Sequence, residues 1–170
     1  MGHSDFSGIP LSSRRAYGRI LATPFQCQTA SIKKLNVIQS KDAKGGVRSE
    51  VRLYVLILTD TTGDSALVYF TQGSTKSIQS YDSRVRPTLR GSKEFKDALA
   101  QNGGVPLGIT SIQYVSHETG KPVMFREKFS GRLALGKKSD GRLAGSLIVV
   151  FPDARRSFIS GAFKAELVGF

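Results

Sequence analysis

This 170-residue sequence predicts a mainly β domain: an antiparallel β-sandwich or barrel of about seven to nine strands, with one short helix near residues 92–102. Three observations carry that expectation. Apolar, β-branched runs of strand length recur along the chain, above all Val51–Thr59 (VRLYVLILT). Turn blocks rich in Asp, Gly and Ser separate them. Helical periodicity is confined to one short stretch, so helices do not alternate with strands as a βαβ fold requires.

The elements follow in order. Residues 1–13 (MGHSDFSGIPLSS), punctuated by Gly, Ser and Pro, read as a loose lead-in to a single all-β domain over residues 14–170. Tyr17–Thr23 and Ser31–Ser40 are β segments, the second favoured by Ile32, Val37 and Ile38, and Lys41–Gly46 (KDAKGG) is a turn. Val51–Thr59 is apolar on both faces, which predicts a central strand covered on both sides. Asp60–Asp64 supplies the tight-turn residues of a hairpin into Ala66–Thr71, and the two strands should pair antiparallel.

Gln72–Arg90 is a polar connection carrying Arg84, Arg86 and Arg90, interrupted by Pro87, with one short strand at Val85–Leu89. Ser92 is an N-cap, with Glu94 in the first helical turn, Phe95 and Leu99 four residues apart, and Gly103 as the stop. Beyond Val105 the chain reads as a meander: Ile109–Val115, a turn at His117–Lys121, then Val123–Leu135, Leu143–Phe151 and Ser157–Val168. Gly136–Gly141 and Pro152–Arg156 are the turns between the last three.

Composition narrows the chemistry. Cys27 is the only cysteine, which excludes an intramolecular disulfide and a cysteine-built zinc site. His3 and His117 are far apart and belong to no ligand-spaced motif, so no metal or other cofactor is expected. The longest apolar runs, Leu53–Leu58 and Leu147–Phe151, are far shorter than the ~20 residues of a membrane helix. The start has no apolar signal core, and Phe6 occupies the position where a myristoylation signal wants Ser or Thr. The expectation is a soluble chain whose compartment the sequence does not specify. The terminal Phe170 raises an outer-membrane barrel, but Val51–Leu58 lacks the strict alternation of lipid-facing and lumen-facing residues, and there is no Trp for an aromatic girdle.

Catalytic groups are sparse, and no enzyme activity is expected. A Ser–His–acid arrangement would have to use His117, which lies in a polar turn beside Glu118 and Gly120. Asp42, Asp60, Asp64, Asp140 and Asp153 sit where turns need them, and Glu127 and Glu166 sit beside basic residues. Gly45-Gly46 and Gly103-Gly104 lack the Lys and Ser/Thr of a phosphate loop. Cys27, between Gln26 and Gln28, reads as a half-buried small residue and not a reactive thiol.

The charge is the positive lead: 25 Lys and Arg stand against 13 Asp and Glu, a net charge of +12. Alternation along Val123–Leu135 puts Phe125, Phe129, Leu133 and Leu135 on one face and Met124, Arg126, Lys128 and Arg132 on the other. Aligning the core faces of the following hairpins sets Lys128 opposite Val150 and Phe158 beside Val150, with Arg155 and Arg156 in the turn at the same end. The resulting candidate site is Arg126, Lys128, Arg132, Arg155 and Arg156 with Phe158 as a stacking surface, suited to phosphates and a base. Lys137, Lys138 and Arg142, at the opposite end of these strands, form a second basic locus. The bland alternative is a solvated face that keeps the protein soluble and discourages edge pairing.

Ser31 through Arg90, with its strand, LTDTTG connector and ALVYF strand, resembles the early strands of an OB-type barrel, a likeness that implies nucleic-acid binding. The first functional expectation is therefore a non-enzymatic basic β-domain binding an anionic polymer, nucleic acid first and polysaccharide or acidic protein second. The alternative is a structural or secreted β-sandwich subunit that self-assembles as a homo-oligomer or packs within a larger particle or envelope. A barrel holding a small apolar ligand fits the fold but lacks a nameable polar anchor.

Overall fold

The structure, a computed structural model, describes residues 14–41, 43–73, 76–85, 92–101 and 107–170. The elements in chain order are β1 (Tyr17–Ile20), β2 (Thr23–Lys41), β3 (Val47–Asp60), β4 (Ser65–Gly73), a single 3-10 turn (Ile78–Ser80) and β5 (Asp82–Val85). Helix α1 (Lys93–Gln101) follows, then β6 (Gly108–Val115), β7 (Pro122–Phe125), β8 (Ser130–Ser139), β9 (Arg142–Val150) and β10 (Phe158–Val168). The fold is mainly β, as the alternating apolar runs require. Among the described residues the strands number ten, one above the expected range, because the single strand expected at Val123–Leu135 is two, β7 and β8.

All ten strands join one sheet in the order β5-β8-β9-β10-β1-β2-β3-β4-β6-β7. Neighbours are antiparallel except where β10 meets β2 directly and in parallel, from Glu166 beside Ser31 to Val168 beside Lys33. The sheet curls until its two halves face each other. Phe125 at the end of β7 packs edge-on against Phe151 just past β9, 4.9 Å between ring centres, and Phe70 of β4 lies 4.8 Å from Tyr81 just before β5. This gives the sandwich or barrel-like arrangement in which the core is enclosed.

Strand β3 supplies the centre of that core. Tyr54, Leu56 and Leu58 point inward with Ile32, Val68, Phe70 and Ile112, while Val51 and Val55 are buried on the opposite face. The unbroken apolar run is explained by this two-sided burial. Truncating Leu56, fully enclosed, to alanine would cost about 2–5 kcal/mol. The hairpin from β3 to β4 forms where expected, with Thr59 opposite Ser65.

Several boundaries differ from the sequence reading. Val123–Leu135 is not one strand. It leaves the sheet after Phe125, turns through Arg126–Phe129 with Lys128 at φ +60°, and re-enters at Ser130 on the other side of the molecule. The break is a tertiary demand: Phe125 and Phe129 both enter the core, one from β6's neighbour and one ahead of β9's neighbour. Tyr17–Thr23 ends at Ile20, and the strand expected from Ser31 already starts at Thr23, running nineteen residues with bulges near Gln28, Leu35 and Lys41. Gly136–Gly141 is a turn only at Asp140–Gly141, since β8 extends to Ser139. A short strand is present at Asp82–Val85, while residues 86–89 of the strand expected at Val85–Leu89 lie outside the described residues.

Helix α1 begins after Ser92, whose carbonyl accepts from the Lys96 amide. The lead-in at residues 1–13, Arg86, Pro87, Arg90 and the Gly103 stop lie outside the described residues. The likeness to an OB-type barrel is limited to the β2–β3–β4 meander; β4 then pairs with β6, and the ten-stranded sheet has a different order.

Strand β1 is wedged between β10 and β2, with Gly18 opposite both Ile159 and Phe25. A Cβ on Gly18 would stand 1.9 Å from the Phe158 carbonyl oxygen, so only glycine permits this approach. The turn into β2 places Leu21 and Ala22 at φ +50° and +72°, the left-handed pair of a two-residue hairpin built here without Asn or Gly. Contacts hold it: the Arg155 guanidinium donates to the Leu21 carbonyl at 2.9 Å, and the Leu21 amide donates to Ser157 Oγ at 2.8 Å. The Ser157 hydroxyl and amide in turn donate to the Asp153 carboxylate.

Candidate anion-binding face

The outward side of the β5-β8-β9-β10-β1-β2 half of the sheet can be read row by row from the ladder. One row runs Arg84, Arg132, Ile148, Ser160, Tyr17, Gln26. The next, two residues along each strand, runs Ser130, Val150, Phe158, Arg19, Pro24. Adjacent strands are ~4.8 Å apart and successive outward residues ~6.8 Å apart, so the rows lie side by side on one side of the sheet, with enclosed residues between the exposed Arg84 at one end and the exposed Tyr17 and Arg19 at the other. Ile148, Ser160 and Val150 are buried within it, Arg132 and Phe158 are half-buried, and Arg84, Arg19 and Tyr17 are exposed.

At its centre two aromatic rings meet. Tyr17 and Phe158 stand 6.1 Å apart, nearly perpendicular, with Tyr17 exposed by 39%. Arg19 is the direct neighbour of Phe158 on one side. On the other, beyond β9, Arg132 and Arg84 face each other directly across β8 and β5. Like charges in directly opposed cross-strand positions are destabilising. Asp82 relieves part of this: Arg132 donates from Nε at 3.1 Å and from Nη2 at 2.9 Å to its two carboxylate oxygens. That guanidinium holds the Asp82 carboxyl below the usual carboxylate range, helped by the charge of Arg84. One carboxylate serves two guanidinium groups, so the row keeps an excess positive charge.

The expected site residues are distributed as follows. Phe158 does pair with Val150, and Arg132 shares its face. Lys128 is not opposite Val150; Ser130 is, and Arg126 and Lys128 are exposed in the connector at the same end of the sheet. Arg155 and Arg156 are exposed in the β9–β10 turn at that end as well. Arg155 is engaged in the fold, donating to Leu21 while its own carbonyl accepts from Arg19 at 3.3 Å. Lys137, Lys138 and Arg142 lie at the opposite end, where Arg142 pairs with Glu166 at 3.0 Å and the Lys138 amide donates to Gln79. The sequence reading missed Tyr17 and Arg19. Their signal was present in RAYGR, where Arg15, Tyr17 and Arg19 alternate and so share one face of a strand.

The acidic turn residues have structural partners. Asp60, buried beneath its own turn, accepts from the Thr62 amide and hydroxyl and from the Asp64 amide. Asp64 accepts from the Tyr114 hydroxyl at 2.6 Å and from the His117 amide at 2.7 Å, tying the β3–β4 turn to the β6–β7 turn. The His117 ring covers Gly63. Burial raises the Tyr114 hydroxyl, and the Asp64 carboxylate adds to it. Cys27 is buried, its thiol pushed up to about 11 by desolvation and donating to the Thr29 carbonyl. Among the described residues, no three His, Cys, Asp or Glu side chains gather as metal ligands would, and no helix is long and apolar enough to cross a membrane.

Comparison with protein-family models, with curated protein sequences and with solved structures found no match for this chain.

Proposed function

We propose that this domain binds single-stranded nucleic acid across the face built by β5, β8, β10 and β1. The observation that carries the reading is the opposed Arg84–Arg132 pair two strands from the Tyr17–Phe158 ring pair. Guanidinium groups neutralise phosphates, and the exposed Tyr17 ring, braced edge-to-face by Phe158, is available to stack on a base, the combination that non-sequence-specific single-strand surfaces use. Repulsion between two opposed arginines disfavours the free protein, and a phosphate between them turns it into attraction. Arg155, Arg156, Arg126 and Lys128, at the same end of the sheet, extend the positive potential along the path of a strand.

The test is fluorescence anisotropy of labelled single-stranded DNA, RNA and heparin at low and physiological salt, with wild type, Tyr17→Ala and Arg84→Gln. Arg84→Gln should weaken all three polyanions. Tyr17→Ala should weaken the nucleic acids by about fivefold or more, as loss of one base stack does, and leave heparin unchanged. Equal effects of Tyr17→Ala on heparin and nucleic acid would move the reading to a polysaccharide or acidic protein as partner.

A second reading, a self-assembling subunit, is favoured by one observation. Strand β7 is an edge of the sheet, carries no charge, and exposes Val123 and Met124. Four residues beginning with Pro122 limit backbone pairing along this edge, so the contact offered to a second copy is the apolar one of Val123 and Met124. Light scattering of wild type against Met124→Lys tests it, with a mass several times the monomer that Met124→Lys reduces as the supporting result.

A further inference from the structure

Strand β1 ends its pairing with β10 near Arg15, and β10 and β2 rejoin directly only at Glu166 and Ser31. Between those points the two strands part around an open cleft of about 790 Å³. Its walls are chemically uneven. Arg15 lies beside Ala162 at the foot, and Lys164 is the next outward residue along β10. The Arg142–Glu166 ion pair closes the far end. Exposed Thr29 and half-buried Ser31 line the β2 side, half-buried Ile57 adds apolar surface, and Phe163 at the margin belongs to the core.

Charge selects the ligand. Arg142 is neutralised by Glu166, whereas among the described residues neither Arg15 nor Lys164 has an ion-pair partner. The charge of Arg15 reaches the floor, where it acts on the Cys27 thiol. Two unpaired cations on adjacent positions of one wall match two negative charges on one group. Hydroxyl donors opposite them suit an anion with several oxygens. The volume lies within the range of small-molecule sites and exceeds what a bare inorganic anion fills.

We propose that this cleft is a binding site for a phosphomonoester of nucleotide size, its dianionic phosphate held between Arg15 and Lys164 and hydrogen-bonded by Thr29 and Ser31. The site shares no residue with the Tyr17–Phe158 face and does not rest on the nucleic-acid reading. A phosphodiester carries one charge and two bridging ester oxygens, so it satisfies the pair of cations less well than a monoester.

Calorimetric titration at pH 7.5 and physiological salt tests the proposal with adenosine monophosphate, its 3′,5′-cyclic monophosphate and adenosine. The monophosphate should bind about tenfold or more tightly than the cyclic monoanion, and adenosine should give no measurable heat. Arg15→Gln and Lys164→Gln should each weaken the monophosphate about tenfold, the scale of one charge-assisted hydrogen bond, with unchanged melting temperatures because both side chains are exposed. Lys164→Arg should retain binding, and Glu166→Gln, which releases Arg142 toward the ligand, should tighten it. Equal affinity for the monophosphate and adenosine, no binding at millimolar ligand, or affinity untouched by both Gln substitutions would each overturn the assignment. Because Arg15 shares its strand face with Tyr17, Lys164→Gln is the variant that separates the two readings: it should weaken the monophosphate and leave the oligonucleotide affinity set by Tyr17 and Arg84 unchanged.

Discussion

Replacing Asp82 by Asn should make the protein less stable and a better polyanion binder at once. Asp82 is half-exposed, at 51%, and its carboxylate makes two hydrogen bonds to the Arg132 guanidinium, itself 25% exposed. An exposed pair of this kind contributes up to about 1 kcal/mol. The amide would also leave Arg84 and Arg132 opposed with no carboxylate beside them. For a domain of this size, about 1 kcal/mol corresponds to a fall in Tm of about 2–4 °C.

Binding should move the other way. Freeing Arg132 adds one cation for a phosphate, and for single strands each neutralised phosphate steepens the salt dependence of log K by about 0.7. At 0.15 M salt that is about a fourfold gain in affinity, and at 0.05 M about eightfold. Anisotropy with a labelled single-stranded oligonucleotide across that salt range, beside thermal unfolding monitored by circular dichroism, reads both quantities. A lower Tm with unchanged affinity and an unchanged salt slope would refute the reasoning, since Arg132 would then serve the fold alone. Weaker binding would refute it more directly, by showing that the carboxylate itself meets the ligand.

Further outcomes follow from the same geometry. Ala22→Gly should raise stability by about 0.5–1 kcal/mol in denaturant titration, because a left-handed alanine costs about 1–2 kcal/mol and glycine's added chain entropy returns part of it. Gly18→Ala should destabilise by more than the ~1–3 kcal/mol of ordinary overpacking, since its Cβ would meet the Phe158 backbone oxygen and not a side chain that can move. With its thiol pushed up from 9.0 to about 11, Cys27 should react with iodoacetamide at pH 8 about a hundredfold more slowly in the folded than in the unfolded protein. The same shift has a defined sign in stability. The folded state holds the proton more tightly than the unfolded state, so this contribution is complete below pH 9 and is lost as pH rises through 9 to 11, and the raised Tyr81 and Tyr114 hydroxyls extend the loss to higher pH.

Much of the fold was legible because strand chemistry is local. The VRLYVLILT run, the Asp60–Asp64 turn and the pairing of Phe158 with Val150 all follow from residue type, period-two alternation and turn length. What escaped was set by contacts distant in sequence. MFREKFS has no Gly, Pro or Asn to mark a corner, and its one local signal is the run of three charges, Arg126–Lys128, that interrupts the alternation; the turn at Lys128 exists because β7 and β8 belong to opposite halves of the sheet. The consequence for the site was milder than a register error of one. Ser130, not Lys128, faces Val150, a shift of two residues that preserves parity, so Arg132 still emerges on the face of Phe158. The Asp82–Arg132 pair joins residues fifty positions apart across a strand contact that no local pattern announces.

Both candidate sites trace to one structural decision, the insertion of β1 between β10 and β2. Its four residues bring Tyr17 and Arg19 against Phe158, and its shortness leaves β10 and β2 apart until Glu166 reaches Ser31. The insertion is costly: two non-glycine residues in left-handed conformations at Leu21 and Ala22, and a close approach at Gly18 that no other residue permits. A plain β10–β2 pairing would avoid all three, close the cleft and remove half of the ring pair. Local strain that the surrounding structure must over-determine, here through Arg155, Ser157 and Asp153, concentrates where a surface is being shaped for a ligand. On that argument the Ala22→Gly variant should gain stability without gaining affinity at either site, because the turn's role is to hold β1 in place and β1 is already there.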